Sequence, residues 1–295
     1  MVIVRLKGGL GNQLFQYAFA RALAEYRNER LIFDLSYIRD NPLHFTPRAF
    51  KLSRLNNYTI LDQDSVDAYN EYYRDGKTVY ISDDFLKQVI GPTIDHPSVK
   101  AILLDGYFQD EFYFLPYVEV IKQELKDLLN HYYNQYLESY AVDPVVIDAH
   151  LDTVSVHLRR TDYLEPATLK AHGICEPAYY EEALQIIHSK LDSPKFYLFS
   201  DDPKLANLIF AQMIEKNLNV SDVLQQAPID NKDLIELYLM TRCKNFIMAN
   251  SSFSWWGSYL CEADPKITIA PKNWFLDPKL KQMSEDIVLN SWIRI

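Results

Sequence analysis

Two adjacent arginines close the run VSVHLRRTDYLE at residues 154–165. Val154, Val156 and Leu158 alternate as in a strand, and His157, Arg159, Arg160, Asp162 and Glu165 fall at its end or just beyond. Paired arginines at the edge of a buried strand need an anion, because unpaired buried charge is costly. Three further clusters carry usable chemistry. NSSFS (Asn250, Ser251, Ser252, Phe253, Ser254) offers hydroxyls, backbone N–H groups and the positive end of a helix, a set that suits a phosphate. LFSDDP places Asp201 and Asp202 after a strand, where a carboxylate can accept two N–H bonds from a guanine edge or bond a ribose. GGLGNQ gives Gly9, Gly11, Asn12 and Gln13 in a loop through which backbone can approach a ligand closely. Guanidinium forks bind phosphate oxygens in pairs, so together these groups describe a site for a nucleoside diphosphate.

Taken singly, each cluster has a plain structural meaning. SDDP is a helix cap followed by proline at the first helical position. Asp162 and Glu165 are partners enough for the arginines, and His157 is a satisfactory core histidine. SSFSWWG reads as a cap plus core tryptophans. GGLGNQ is an incomplete GxGxxG, since Leu14 stands where the last glycine would be. The argument rests on all four clusters falling at the carboxyl ends of strands, where ligands of open α/β sheets bind.

The elements that must position them follow from periodicity. A strand at 2–6, a helix at 12–28 with Asn12 as its cap and a strand at 31–35 make a β-α-β start, which favours a parallel sheet. Residues 36–115 are polar and proline-interrupted, with strand candidates at 79–81 and 102–104. A long helix is expected at 117–140 and a joint between halves at 142–152. The second half alternates more regularly: strands at 154–158, 195–200, 245–249 and 267–270, helices at 177–191, 203–217 and 231–243, and another opening at Trp255. The expected fold class is α/β, with two lobes, 1–145 and 146–295, facing a cleft.

The 295 residues are 48% hydrophobic and 24% charged, an ordinary globular composition. A net charge of −10 argues against a nucleic-acid or anionic-membrane surface. The three cysteines, Cys175, Cys243 and Cys261, lack metal-ligand spacing and suit a reducing compartment. No secretory signal and no apolar run of about 18 residues stand out, so a cytoplasmic location is expected.

VHLRRTDY also resembles the H-x-R-R-x-D signature of α-1,2-, α-1,6- and protein O-fucosyltransferases. The whole set resembles bacterial α-1,2-fucosyltransferases, glycosyltransferase family 11: GGLGNQLFQYAFARALA, VSVHLRRTDYL, YYEEALQ, FYLFSDDP and NSSFSWWGSYL, in that order from Arg5 to about Pro271. The resemblance implies a GT-B fold of two Rossmann-like lobes, 1–145 on the acceptor side and 146–295 holding GDP-fucose, and an inverting transfer of L-fucose from GDP-β-L-fucose to the 2-hydroxyl of a terminal galactose. It implies no metal and no cofactor. Arg159 and Arg160 would bind the diphosphate, with Arg160 stabilising the leaving group. His157 and Asp201 would contact guanosine, with Asp202 beside them. Asn250, Ser251, Ser252, Phe253 and Ser254 would cradle phosphates and sugar. Gly9, Gly11 and Gln13 would close on the donor, with Asn12 near the reacting centre and Asp162 as a candidate base or an orienter of the arginines. A β-galactoside glycan is the implied acceptor; if lipid-linked, it would bring the chain to the inner membrane face. The competing readings are an NAD-dependent nucleotide-sugar oxidoreductase or epimerase, resting on the first βα turn and Asp34, and a non-catalytic nucleotide-sugar binder.

Overall fold

The computed structural model describes residues 1–40, 48–84, 87–139, 145–148, 151–215, 217–226 and 230–295. It divides into two compact units, Met1–Leu128 and Leu129–Ile295, the division falling inside the helix Val118–Ser139. The stretch 142–152, read from sequence as a joint, lies partly outside the described residues.

The first unit is built on five strands: β1 (Val2–Arg5), β2 (Leu31–Asp34), β3 (Thr59–Ile60), β4 (Thr78–Ile81) and β5 (Ala101–Leu104). They pair in parallel in the order β3-β2-β1-β5-β4. The order turns back beside β1, between β1 and β5. The first helix, Leu10–Arg27, starts two residues earlier than its apolar spacing suggested. Gly9, not Asn12, is its N-cap, and it ends at Asn28 in the left-handed conformation. One face of this helix buries Leu14, Phe15, Ala18, Ala22 and Leu23. Residues 48–84 also carry a helix that the sequence pattern hid, Gln63–Arg74, capped by the Asp62 carboxylate on Ser65 N. Its burial is slight, and its apolar spacing, Val66, Tyr69 and Tyr73, rests mostly on tyrosines within a polar stretch.

The second unit is a six-stranded sheet: β6 (Thr153–Leu158), β7 (Lys195–Ser200), β8 (Asn217–Asn219), β9 (Asn245–Ile247), β10 (Thr268–Ala270) and β11 (Ile293–Arg294). All its pairings are parallel, in the order β11-β10-β9-β6-β7-β8. Three strands (β9, β10, β11) run outward from β6 on one side and two (β7, β8) on the other, so the switch point lies between β6 and β9, as in doubly wound nucleotide-binding sheets. All six residues of β6 are buried, because helices cover both faces of a parallel sheet. Helix Pro177–Lys190 covers one face with Tyr180, Ala183, Leu184 and Ile187, joined by Ala206 and Phe210. The larger of these, Leu184, Ile187 and Phe210, each contribute about 1.5–3 kcal/mol of burial free energy. The helix expected at 203–217 stops at Phe210. Asn217–Asn219 pair instead with Phe196–Leu198 as β8, a three-residue strand too short and polar to show a period.

Among the described residues no helix is long and apolar enough to cross a membrane. Close packing sets a clear constraint at the helix Ser252–Tyr259, where a Cβ added to Gly257 would lie 2.3 Å from Met240 Sδ and 2.6 Å from its Cγ. Gly257→Ala is therefore expected to destabilise the chain by about 1–3 kcal/mol in urea titration. Pairing it with Met240→Ala should cost less than the sum of the two single changes, because the shortened side chain removes the clash.

Candidate active site

The carboxyl ends of β6 and β7 are joined through one carboxylate. Asp201, the first residue after β7, accepts from Arg160 N at 2.9 Å, Thr161 N at 3.0 Å and Thr161 Oγ1 at 2.5 Å. Its Oδ2 also lies 3.3 Å from Arg159 Nε. These bonds fix the chain turning out of β6 and so fix where its two arginines begin. Arg159 Nη2 donates to Asp162 Oδ1 at 2.6 Å, and its guanidinium lies 5.6 Å from the Tyr163 ring centre. Burial opposes the charge of Arg159, but Asp201 and Asp162 more than reverse this and raise its pKa above the usual guanidinium value.

Arg160 is placed differently. It is 5% exposed, and its guanidinium donates to Arg159 O at 3.0 Å and Cys175 O at 2.6 Å. Both partners are backbone carbonyls. The residue thus ties the turn after β6 to the segment before helix Pro177–Lys190, which makes it a poor fit for the leaving-group role expected of it. Of the pair, Arg159 is the more open, its side chain 21% exposed.

His157 is 3% exposed, its ring 5.6 Å from that of Phe253. Its Nδ1 is buried without a hydrogen-bond partner. Burial lowers its pKa to about 3, against the pull of Asp201, so the imidazole is neutral at ordinary pH. A second histidine, His172, was not anticipated. Its ring lies 5.2 Å from Tyr163 and 5.1 Å from Phe275, also with a buried, unpartnered Nδ1. A carboxyl was missed too. Glu236, on helix Lys232–Arg242, is hydrogen-bonded to Ser221, whose Oγ accepts from Ser200 N at the end of β7. Burial raises its pKa to about 8, with Asp233 and Asp201 adding to the shift. It sits in a run, LIELYLM, that reads as an amphipathic helix; one charged residue there carries no distinguishing sequence signal.

The NSSFS segment divides into scaffold and helix end. Asn250 Nδ2 donates to His172 O at 2.8 Å and to Gly173 O and Trp274 O at 3.3 Å, bridging three segments. Ser254 is buried and donates to Ala249 O and Ser251 O. Ser251 caps the helix, accepting from Phe253 N at 3.3 Å. Ser252 opens the helix and leaves its first turn of N–H groups at the carboxyl end of β9. Asp202, expected to bind donor, caps helix Pro203–Phe210 by accepting from Leu205 N at 3.0 Å. Asn250, Ser254, Asp202 and Arg160 are therefore explained by the fold alone. Tyr179 and Tyr180 complete the edge, donating to Met248 O at 2.7 Å and His157 O at 3.0 Å. Those carbonyls sit where the ladder ends and need partners.

In the first unit the glycine loop follows β1. Gly8 has φ +79°, and a Cβ there would meet Asn12 Nδ2 at 2.5 Å, so Gly8 is the glycine that the turn requires. Gly9 O accepts from the N–H groups of Asn12 and Gln13. Gly11 is buried within the helix. Gln13, fully buried, donates to Gly8 O and Ala49 O and accepts from Lys51 N, a structural role rather than the donor contact expected of it. Asn12 Oδ1 accepts from Gln109 Nε2 at 2.7 Å. Among the described residues no group of His, Cys, Asp or Glu side chains is arranged to hold a metal ion.

A doubly wound parallel sheet with a guanidinium and a helix N-terminus at its switch point is an α/β architecture whose strand ends form a ligand-binding edge. The comparisons make this specific: the fold is of the GT-B type found in glycosyltransferases. Residues 81–295 match the model of Glycosyl transferase family 11. The chain is 31% identical to the alpha-1,2-colitosyltransferase of Escherichia coli, over 100% of this chain and 99% of the relative. It is 29% identical to the O-antigen biosynthesis glycosyltransferase WbnK of Escherichia coli, over 98% and 99%. Among solved structures, an Arabidopsis thaliana FUT1 variant in complex with GDP superposes with a TM-score of 0.53 at 14% identity, covering 92% of this chain and 71% of that one. The chain belongs to glycosyl transferase family 11 and is a fucosyltransferase-like glycosyltransferase.

Glu236 makes the ligand-free protein pH-sensitive. Its folded pKa of about 8 stands above the ordinary value of 4.5, so the folded state binds more protons than the unfolded chain between these limits. This contribution to stability is full below pH 4.5 and is lost as pH rises through about 8. Urea midpoints measured across that window should fall less steeply with pH in Glu236→Gln than in the wild type.

Proposed function

We propose that the chain transfers L-fucose, with inversion, from GDP-β-L-fucose to the 2-hydroxyl of a terminal galactose in a surface-polysaccharide unit, without a resident metal or cofactor. Arg159 is the main diphosphate contact and stabilises the GDP leaving group. The positive end of helix Ser252–Tyr259 faces the remaining phosphate charge. Neutral His157 and the Glu236 carboxyl lie toward the nucleoside. Glu236, protonated in the empty protein, ionises when a guanine edge supplies N–H donors. Arg160 and Asp201 hold Arg159 in place. What supports this reading is the Asp201-anchored turn, which fixes a charged, half-open guanidinium at the switch point. The 2-linkage draws on the relatives: the similar Escherichia coli enzyme, matched over 99% of its length, is an alpha-1,2-colitosyltransferase.

That relative also favours a second donor. Colitose is fucose lacking the 3-hydroxyl, so the same diphosphate site would serve GDP-colitose, and the choice would lie in contacts to that one hydroxyl. The oxidoreductase reading has less support, since the first βα turn lacks the third glycine of GxGxxG, Leu14 standing in its place within the helix Leu10–Arg27.

GDP release should be measured from both donors, with and without lactose or N-acetyllactosamine, in EDTA. Acceptor-dependent release that persists in EDTA is expected. Arg159→Ala should lower its rate about 10²–10³-fold, the usual loss for a preorganised group facing developing charge. Loss of activity in EDTA, or an Arg159→Ala variant as fast as the wild type, would remove this proposal.

A further inference from the structure

The rim of the second unit carries a histidine that the diphosphate and nucleoside contacts do not use. His172 closes the short helix Pro166–His172, and its imidazole touches two aromatic rings, Tyr163 at 5.2 Å and Phe275 at 5.1 Å between ring centres. The Tyr163 ring in turn lies 5.6 Å from the Arg159 guanidinium. Rings therefore run in sequence from the group that meets the diphosphate: Tyr163, His172, Phe275. A glycosyl group is joined to the terminal phosphate of its nucleotide, so it must lie among the side chains that adjoin Arg159.

The backbone around His172 is firmly held. Asn250 Nδ2 donates to His172 O at 2.8 Å and to Gly173 O and Trp274 O at 3.3 Å. Ala171 O accepts from Leu276 N at 2.8 Å and Asp277 N at 3.1 Å. Gly173 has φ +66°, and a Cβ there would lie 2.6 Å from Leu276 Cδ1, so the chain leaves the helix by a turn that requires glycine. Tyr163 is tied to the same point, its hydroxyl donating to Asn250 O at 2.9 Å. Segments 163–173 and 274–277, distant in sequence, are clamped together around one imidazole.

The imidazole itself is left incomplete. Its Nδ1 is buried and has no hydrogen-bond partner. A buried N–H without a partner is rarer than a buried acceptor without one, so the ring proton belongs on Nε2 and the lone pair on Nδ1. Burial disfavours the charged ring and lowers its pKa, against the pull of Asp162. The residue as a whole is only half-buried while Nδ1 is shut off, which leaves Nε2 as the nitrogen able to give a hydrogen bond. A neutral donor cannot balance phosphate charge, and a nitrogen that already carries its proton is no base. It can donate one hydrogen bond to an uncharged oxygen, beside rings that pack against the apolar face of a sugar.

We propose that His172 is the specificity-determining residue for the donor sugar: its Nε2–H donates to a ring hydroxyl of the 6-deoxyhexose, which packs against Tyr163 and Phe275. This rests on the GDP-sugar reading above and adds to it the residue that reads the sugar rather than the nucleotide.

Calorimetry with GDP and with GDP-fucose, without acceptor, separates the two parts of the donor. His172→Phe keeps the ring contacts and removes the orphaned nitrogen, so the ligand-free variant should be at least as stable as the wild type in urea titration. It should bind GDP unchanged and GDP-fucose about tenfold more weakly, as for one lost hydrogen bond, with a matching rise in the KM for GDP-fucose. His172→Gln, whose amide N–H extends toward the position of Nε2, should recover most of this loss; His172→Asn, whose amide stops near the level of Nδ1, should not. Stability, GDP affinity and GDP-fucose affinity all falling together in His172→Phe would show a merely structural residue and overturn the proposal. So would an unchanged GDP-fucose affinity, or a lower kcat with donor affinity intact, the mark of a general base. A wild type that binds GDP but neither binds GDP-fucose nor releases GDP from it overturns the donor reading itself, whereas wild-type use of GDP-fucose with an indifferent His172 overturns the subsite alone.

Discussion

The geometry of the second unit depends on one carboxylate. Asp201 accepts from two successive backbone N–H groups, a hydroxyl and a guanidinium, and so closes the gap between the ends of β6 and β7. A parallel sheet leaves its terminal N–H and C=O groups without ladder partners at this edge, and leaving them buried and unpaired is expensive. Asp201 meets the donors on one side. Tyr179, Tyr180 and Tyr163 meet carbonyls on the other, at Met248, His157 and Asn250. The result is a rigid rim from which Arg159 projects, its charge sustained by two carboxylates that do not remove it from solvent.

Neighbouring arginines thereby acquire separate tasks. Arg160 points its guanidinium at carbonyls and stabilises the path from residue 159 to residue 175. Arg159 keeps a mixed environment of carboxylate, ring and solvent. Such a division is economical for an enzyme that must bind a diphosphate and then release it. A phosphate contact surrounded by fixed dipoles needs little reorganisation as charge develops. The histidines add the complementary element: both are held neutral by burial, so they can contact a nucleoside or sugar without competing for the phosphate.

The first unit follows the same plan with different chemistry. Its edge is also closed by carboxylates, Asp83 on the N–H groups of residues 107 and 108 and Asp105 between Arg5 and Lys7. There the charges cancel. Two sheets of one architecture thus present a charged edge and a balanced edge.

The sequence by itself determined the α/β class, the strand read at 154–158, the helix after the glycine loop and the placing of four polar clusters at strand ends. Each of these is written in local periodicity and in the residues that break it, and local patterns survive without knowledge of partners. It also carried enough ordered motifs to indicate the family. It did not reveal β3, β8 or β11, which have two or three residues each and, unlike the equally short β9 and β10, are largely unburied and so carry no apolar run. Helix 63–74 escaped for a related reason: it buries almost nothing. Which arginine faces solvent, that Asp202, Asn250 and Gln13 are structural, and that Glu236 and His172 join the site were decided only by tertiary structure. A side chain's role there depends on which distant carbonyl or carboxylate lies within hydrogen-bond reach, and on how much water remains. Neither quantity is a property of neighbouring residues in the chain.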